Sequence, residues 1–152
     1  MQDFGSTGGA LFDLPIHDID FAQSVLGTPD SIDATTLPCI QSAHDYVCAH
    51  WKYESGADVK IEGGTRFHHQ FPFEAGYSAN FEKASIKYSS SNSAHILVCT
   101  DTETREEPAG DAMEGYLAEL DYFIECMARK IRPVKCLPES ANLSVQICNE
   151  HL

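Results

Sequence analysis

The chain has 152 residues, 43% apolar and 22% charged, and its 10 Lys and Arg against 23 Asp and Glu leave a formal charge of -13. Those values suit a single water-soluble domain over residues 1–152, and the acidic excess repels a phosphate backbone and so argues against nucleic acid as a partner. No apolar run is long enough to cross a bilayer, and MQDFGSTGG lacks the basic start and apolar core of a leader, so membrane insertion and secretion are not expected.

The first segment, about residues 8–27, reads as helix. Ile16, Ile19, Ala22 or Gln23, and Leu26 recur at helical spacing, with Phe12 and Val25 near the same face. Gly27, Thr28 and Pro29 form a stop signal. Pro15 leaves two starts open: near Asp13 with Pro15 in the first turn, or near Gly9 with a kink.

From about 31 to 100 the period drops to two. Val47, Ala49, Trp51 and Tyr53 alternate with Cys48, His50 and Lys52, and Phe73, Ala75, Tyr77, Ala79 and Phe81 alternate with Glu74, Gly76, Ser78, Asn80 and Glu82. Val59 with Ile61, Ile86 with Tyr88, and Ile96–Cys99 add further strands. The turn candidates Glu54-Ser55-Gly56 and Glu82-Lys83 are short enough for antiparallel pairing. Residues 101–111 read as an acidic loop, with Glu106-Glu107-Pro108 and Gly110 opposing regular structure. A long helix then starts at Asp111, where Glu114 completes a capping box. Its apolar stripe runs through Met113, Tyr116, Leu117, Leu120, Phe123, Ile124, Met127 and Ile131. Arg129, Lys130 and Arg132 suit its negative end and Pro133 stops it. A last helix from about 139 packs through Leu143 and Ile147.

Helix, strands, then two helices predict an α+β fold: an open, mainly antiparallel sheet with helices packed on one face. The other face is left for solvent or a second subunit. Cys39, Cys48, Cys99, Cys126, Cys136 and Cys148 are scattered without a Cys-x-x-Cys pair, which suits reduced thiols in a cytoplasmic protein.

Asp13, His17, Asp20 and Ser24 fall at i, i+4, i+7 and i+11, which on one helix makes a polar stripe. An imidazole beside carboxylates can exchange protons near neutral pH, the equipment for general acid–base work. A solvated helix face would show the same spacing.

The stretch Gly8-Gly9-Ala10, Asp13, His17, Asp20 and the Leu26-Gly27 stop resembles the opening of the C-terminal domain in Gfo/Idh/MocA oxidoreductases, with its pattern G-G-[GA]-x-x-x-D-x-x-x-H-x-x-D. Tyr116, Glu119, Leu120 and Phe123 resemble that family's Y-x-x-E-[LF]-x-x-F helix, and Arg132-Pro133 and the last helix fit its ending, so the resemblance runs over nearly the whole chain. It implies that His17 assists proton transfer at a substrate hydroxyl or carbonyl, that Asp13 positions substrate and tunes His17, and that Asp20 supports them. It implies sugar-like or polyol substrates, and NAD or NADP in the parent enzyme.

Parts of that family's pattern are missing. No G-x-G-x-x-G occurs, the E-K-P motif is absent, and so are the Rossmann domain and the first strand of the C-terminal domain. The expectation is a substrate-binding and oligomerisation half, binding no cofactor and inactive alone, whose partners are the missing Rossmann domain and a second copy joined through the sheet. One alternative is a stand-alone, non-enzymatic ligand-binding or self-association module. Another is a metal site of Asp13, His17 and Asp20. His68 and His69, being adjacent, would face opposite sides of a strand. His44 and His50 lack a spaced partner, and Arg66 or Lys52 is a candidate for an acidic substrate group.

Overall fold

The computed structural model describes residues 9–38, 44–65, 67–92 and 95–152. In chain order the elements are α1 (Ala10–Asp13), α2 (Pro15–Leu26), β1 (Ser31–Pro38), β2 (His44–Lys52), β3 (Asp58–Gly64), β4 (Gly76–Asn80), β5 (Ser85–Ser89), β6 (His95–Cys99), β7 (Thr104–Pro108), α3 (Ala112–Arg129) and α4 (Pro138–Glu150), with one 3-10 turn at Ser90–Asn92. The fold is α+β with antiparallel strand pairing, as the order of elements predicts. Its strands divide into two open sheets, β1-β2-β3 and β4-β5-β6-β7. The chain forms two compact units, residues 1–69 with 134–152, and residues 70–133.

In the first unit Pro15 settles where the opening helix starts. Proline has no N–H to give to a preceding turn, so α1 closes on the Leu14 N–H to Ala10 carbonyl bond at 2.9 Å, and α2 begins afresh with Pro15 in its first turn. The continuous helix with all four polar residues on one side is thus corrected to two pieces broken at Leu14. Gly27 ends α2 at a φ of 80°, where a side chain would be strained, and its N–H bonds the Gln23 carbonyl at 2.8 Å.

Strand alternation builds the core. Val47, Ala49 and Trp51 on β2 and Ile61 on β3 point to one face, where Leu11, Ile19, Ala22, Ile147 and Cys148 of the helices cover them. Trp51 is fully buried, and burying a large apolar side chain of this kind contributes about 2–3 kcal/mol. Its indole N–H still needs an acceptor, and finds one in His151 Nε2 at 2.9 Å. The helices that cover this sheet are α1, α2 and α4. Leu143 and Ile147 do anchor the last helix.

The second unit carries two corrections. Residues 101–111 are not all loop: Thr104–Pro108 pairs with β6, Arg105 opposite Val98 and Glu107 opposite Ile96. The Thr100 side chain makes the turn, its Oγ1 accepting the Glu103 N–H at 3.1 Å while the Thr100 N–H bonds the Glu103 carbonyl at 2.8 Å. Acidic residues and a terminal proline are tolerated there because β7 borders the sheet, where one side needs no ladder partner. The apolar alternation from Phe73 to Phe81 also overshoots its strand, since β4 starts only at Gly76 and both Phe73 and Phe81 are exposed.

The capping box of α3 forms as predicted, with the Glu114 N–H on Asp111 Oδ1 at 2.9 Å and the Asp111 N–H on Glu114 Oε2 at 3.2 Å. The stripe does not become core: its eight residues are 48% to 65% exposed.

Candidate functional site

Asp13 is the last residue of α1 and His17 lies in the first turn of α2, with the break at Leu14 between them. Both are exposed. The break turns what would be a continuous helical stripe into two short helices whose polar ends open to solvent. Asp20 has a structural occupation, accepting the Ser144 hydroxyl at 2.6 Å and tying α2 to α4. Ser24 is likewise occupied, its hydroxyl donating to the Phe21 carbonyl at 2.7 Å.

Sequence reading passed over Asp18. Desolvation pushes its carboxyl above the usual carboxylate range, and the neighbouring His17 partly offsets the rise. A carboxyl group so placed beside an imidazole is a second proton-carrying candidate at the same end of α2. Its signal in the sequence was adjacency to His17, which does not by itself tell a crowded carboxylate from a solvated one.

The far side of the three-stranded sheet is polar. Pairing sets Asp33 beside His50 and Lys60, and Thr35 beside Cys48 and Glu62. A cavity of about 210 Å³ there is lined by Asp33, Thr35, Cys48, Ala49, His50 and Lys60. Its charges are largely matched within the face: Asp58 takes Lys52 at 2.7 Å and also His50, which together hold its carboxyl low, and Glu62 takes Lys60. The Tyr46 hydroxyl donates to Glu62, which pushes its pKa up to about 12. Asp13 and His17 do not line this cavity.

His68 and His69 are exposed and lie outside any strand, so the opposed-face argument does not apply to them. Arg66, Cys39, Gly8 and the side chain of His44 lie outside the described residues. Among the described residues no three His, Cys, Asp or Glu side chains converge to hold a metal ion, so the metal alternative finds no ligand set. Every strand pair described is antiparallel. No helix among them is long and apolar enough to cross a membrane.

Open antiparallel sheets with helices, and an exposed Asp and His on either side of a helix break, define an α+β domain. The sequence model for the GFO/IDH/MocA C-terminal domain matches residues 2–87, more than half of the chain, and the chain belongs to that family. No curated protein matches it in sequence.

Solved structures match its fold. UDP-N-acetylglucosamine 3-dehydrogenase GnnA from Acidithiobacillus ferrooxidans is 14% identical with a TM-score of 0.81, covering 98% of this chain and 48% of its own. Levoglucosan dehydrogenase, in complex with NADH and L-sorbose, is 16% identical with a TM-score of 0.78, covering 95% and 47%. An oxidoreductase from Agrobacterium radiobacter, in complex with NAD+, L-tartaric acid and magnesium, is 13% identical with a TM-score of 0.76, covering 98% and 49%. This chain thus spans about half the length of these relatives.

Proposed function

We propose that the chain is the substrate-binding and oligomerisation half of a cytoplasmic NAD(P)-dependent oxidoreductase acting on a hydroxyl or carbonyl of a sugar-like or polyol compound. The observation that carries this reading is the exposed Asp13 and His17 on either side of the Leu14 break, in a chain of this family. Oxidising an alcohol to a carbonyl removes a hydride from carbon and a proton from oxygen. His17 takes that proton, or returns it in the reverse direction, while the Asp13 carboxylate accepts a hydrogen bond from a substrate hydroxyl. The hydride acceptor, NAD or NADP, belongs to a dinucleotide-binding domain of the parent enzyme. Relatives whose structures hold levoglucosan-type or L-sorbose ligands support the polyhydroxylated class. The free cysteines among the described residues suit a reducing compartment.

The test is an NMR titration of the isotope-labelled chain with levoglucosan, L-sorbose and a linear hexitol at millimolar concentration. The His17 and Asp13 resonances are expected to move in the native chain, and that of Asp13 to stay fixed in His17→Asn. Silence of both residues toward all three compounds would overturn the substrate-side assignment. In parallel, the chain mixed with NAD+ and the same compounds is expected to generate no NADH absorbance; turnover would refute the division of labour between two halves.

A further inference from the structure

Gly63 lies in β3, paired with Val47 of β2. A glycine weakens a strand, since it brings no side chain to pack and loses more freedom on folding than any other residue. Backbone shape does not ask for it, because its φ lies outside the positive range occupied by Gly9, Gly27, Gly56 and Gly110. A close neighbour does. A Cβ at Gly63 would stand 3.1 Å from Pro15 Cγ and 3.9 Å from Pro15 Cδ, and the Pro15 ring is fully buried. Pro15 is also the link between the two helix pieces. Leu11 anchors α1 in the core and Ile19 anchors α2. Asp13 and His17 lie two residues to either side of the ring, and the His17 N–H bonds the Leu14 carbonyl across it at 3.0 Å.

We propose that Gly63 is a positioning residue: its missing side chain seats the Pro15 ring against β3, and that seat fixes how Asp13 and His17 stand toward each other. The inference rests on the reading of Asp13 and His17 as the substrate-facing pair. A flexible side chain pressed by a new methyl group would turn aside. A proline ring closes on its own backbone nitrogen and cannot move without carrying the chain with it. Ordinary contact with a Cβ begins at 3.4 Å, and the ladder to Val47 holds Gly63 in place, so even alanine displaces the ring by about 0.3 Å. Leu11 and Ile19 hold the two ends, so the shift is absorbed between them, in the stretch that carries Asp13 and His17. Groups that act together need placing to within about 0.5 Å, and an error near 1 Å costs on the order of 100-fold. Valine adds two more methyl groups than alanine at the same point and exceeds that tolerance. Strand preference runs the other way, since valine suits a strand better than glycine. Stability and placement therefore part company, which separates positioning from packing.

The experiment records amide spectra of the isotope-labelled full chain, and its titration with levoglucosan, for the native chain, Gly63→Ala, Gly63→Val and Ile147→Val. The last removes one core methyl group from α4. Without ligand, the amides of Asp13, Leu14, Ile16 and His17 are expected to move in Gly63→Ala and further in Gly63→Val. The dissociation constant for levoglucosan is expected to rise about threefold in the first and roughly tenfold in the second, with thermal midpoints near native. Ile147→Val is expected to lower the midpoint and to leave the constant and these four amides as in the native chain. Amides that stay fixed in both Gly63 variants overturn the inference. So does an unchanged constant where they move, and so does a constant that follows the thermal midpoint through all three variants, which would make Gly63 a packing residue. A native chain whose His17 ignores levoglucosan overturns the substrate-side reading and the inference with it. The ligand-free amide shifts tell that failure apart, since they report the seat whether or not anything binds. Should Gly63→Val fail to fold, Gly63→Ala decides.

Discussion

The buried pair Trp51–His151 shows what a single residue contributes and what the sequence hides. The Trp51 indole N–H donates to His151 Nε2 at 2.9 Å, so that nitrogen carries no proton, while Nδ1–H donates to the Ile147 carbonyl at 2.7 Å. Both ring nitrogens are committed to the neutral tautomer. A second proton would set two donors face to face in a site that is 2% exposed. Burial accordingly holds the His151 pKa below its usual 6.5, against the smaller opposing pull of the Ile147 carbonyl. The unfolded chain binds this proton first as pH falls, so His151 contributes fully above about pH 6.5 and its contribution is lost as pH drops from there toward the folded pKa. Urea unfolding at pH 7.5 and 5.5 is expected to show lower stability at the acid pH, and His151→Gln to remove that part of the slope. An unchanged slope in the variant would show that other groups cause it. His151→Ala, which strands the indole N–H, is expected to cost about 1–3 kcal/mol at either pH. The two residues lie 100 positions apart, and neither carries a pattern that announces the other. Asp13, His17 and Asp20 stand out in the sequence because they sit within eight residues of one another in a motif. Asp18 has no place in that motif, and the desolvation that raises its carboxyl is not visible in residue spacing.

At the scale of elements, backbone approach decides what composition leaves ambiguous. A Cβ on Gly76 would meet the Tyr88 carbonyl oxygen at 2.5 Å, inside the β4–β5 ladder, and backbone cannot step aside as a flexible side chain can. Gly115 on α3 is the opposite case, with nothing within 4 Å. Gly76→Ala is therefore expected to destabilise by about 1–3 kcal/mol through overpacking. Gly115→Ala is expected to stabilise α3 by up to about 1 kcal/mol through helix propensity. Hydrogen exchange at the Ser90 amide, which bonds the Ala75 carbonyl at 2.7 Å beside Gly76, reads the first change; an unaltered rate would mean the strands part at no cost. Element boundaries were read well where chemistry is local, as at Gly27 and the Asp111–Glu114 box, whereas Pro15 left two starts open. They were misread at β7, because Glu106-Glu107-Pro108 looks like loop and becomes strand only through a ladder to β6. The length of β4 was misread for the converse reason: the Phe73–Phe81 alternation marks faces, while hydrogen bonding sets where the strand begins.

For the whole molecule, composition gives the share of apolar residues but not the distribution of their burial. The apolar cluster of Trp51, Leu11, Ile19, Val47, Ala49, Ile61 and Ile147 lies wholly in the unit of residues 1–69 and 134–152. Among the described residues of 70–133 only Cys126 is buried, and the strands there have half-buried or exposed side chains throughout. Period-two and helical patterns were visible in both units. A pattern says which residues share a face and not how deeply they are buried, so the sequence could not tell the sheet with a buried layer from the one whose side chains are half-buried or exposed. Opening free energies follow buried apolar contact, and strands without a buried layer open at lower cost than those under one. Amides of Val47, Ala49 and Trp51 in β2 are therefore expected to exchange slowest in the chain. Those of β4–β7 are expected to exchange at least a hundredfold faster, despite being equally paired in antiparallel ladders. Equal protection of the two sheets at low concentration would mean that hydrogen bonding alone sets their stability, and the assignment of the cooperative core to the first unit would fall.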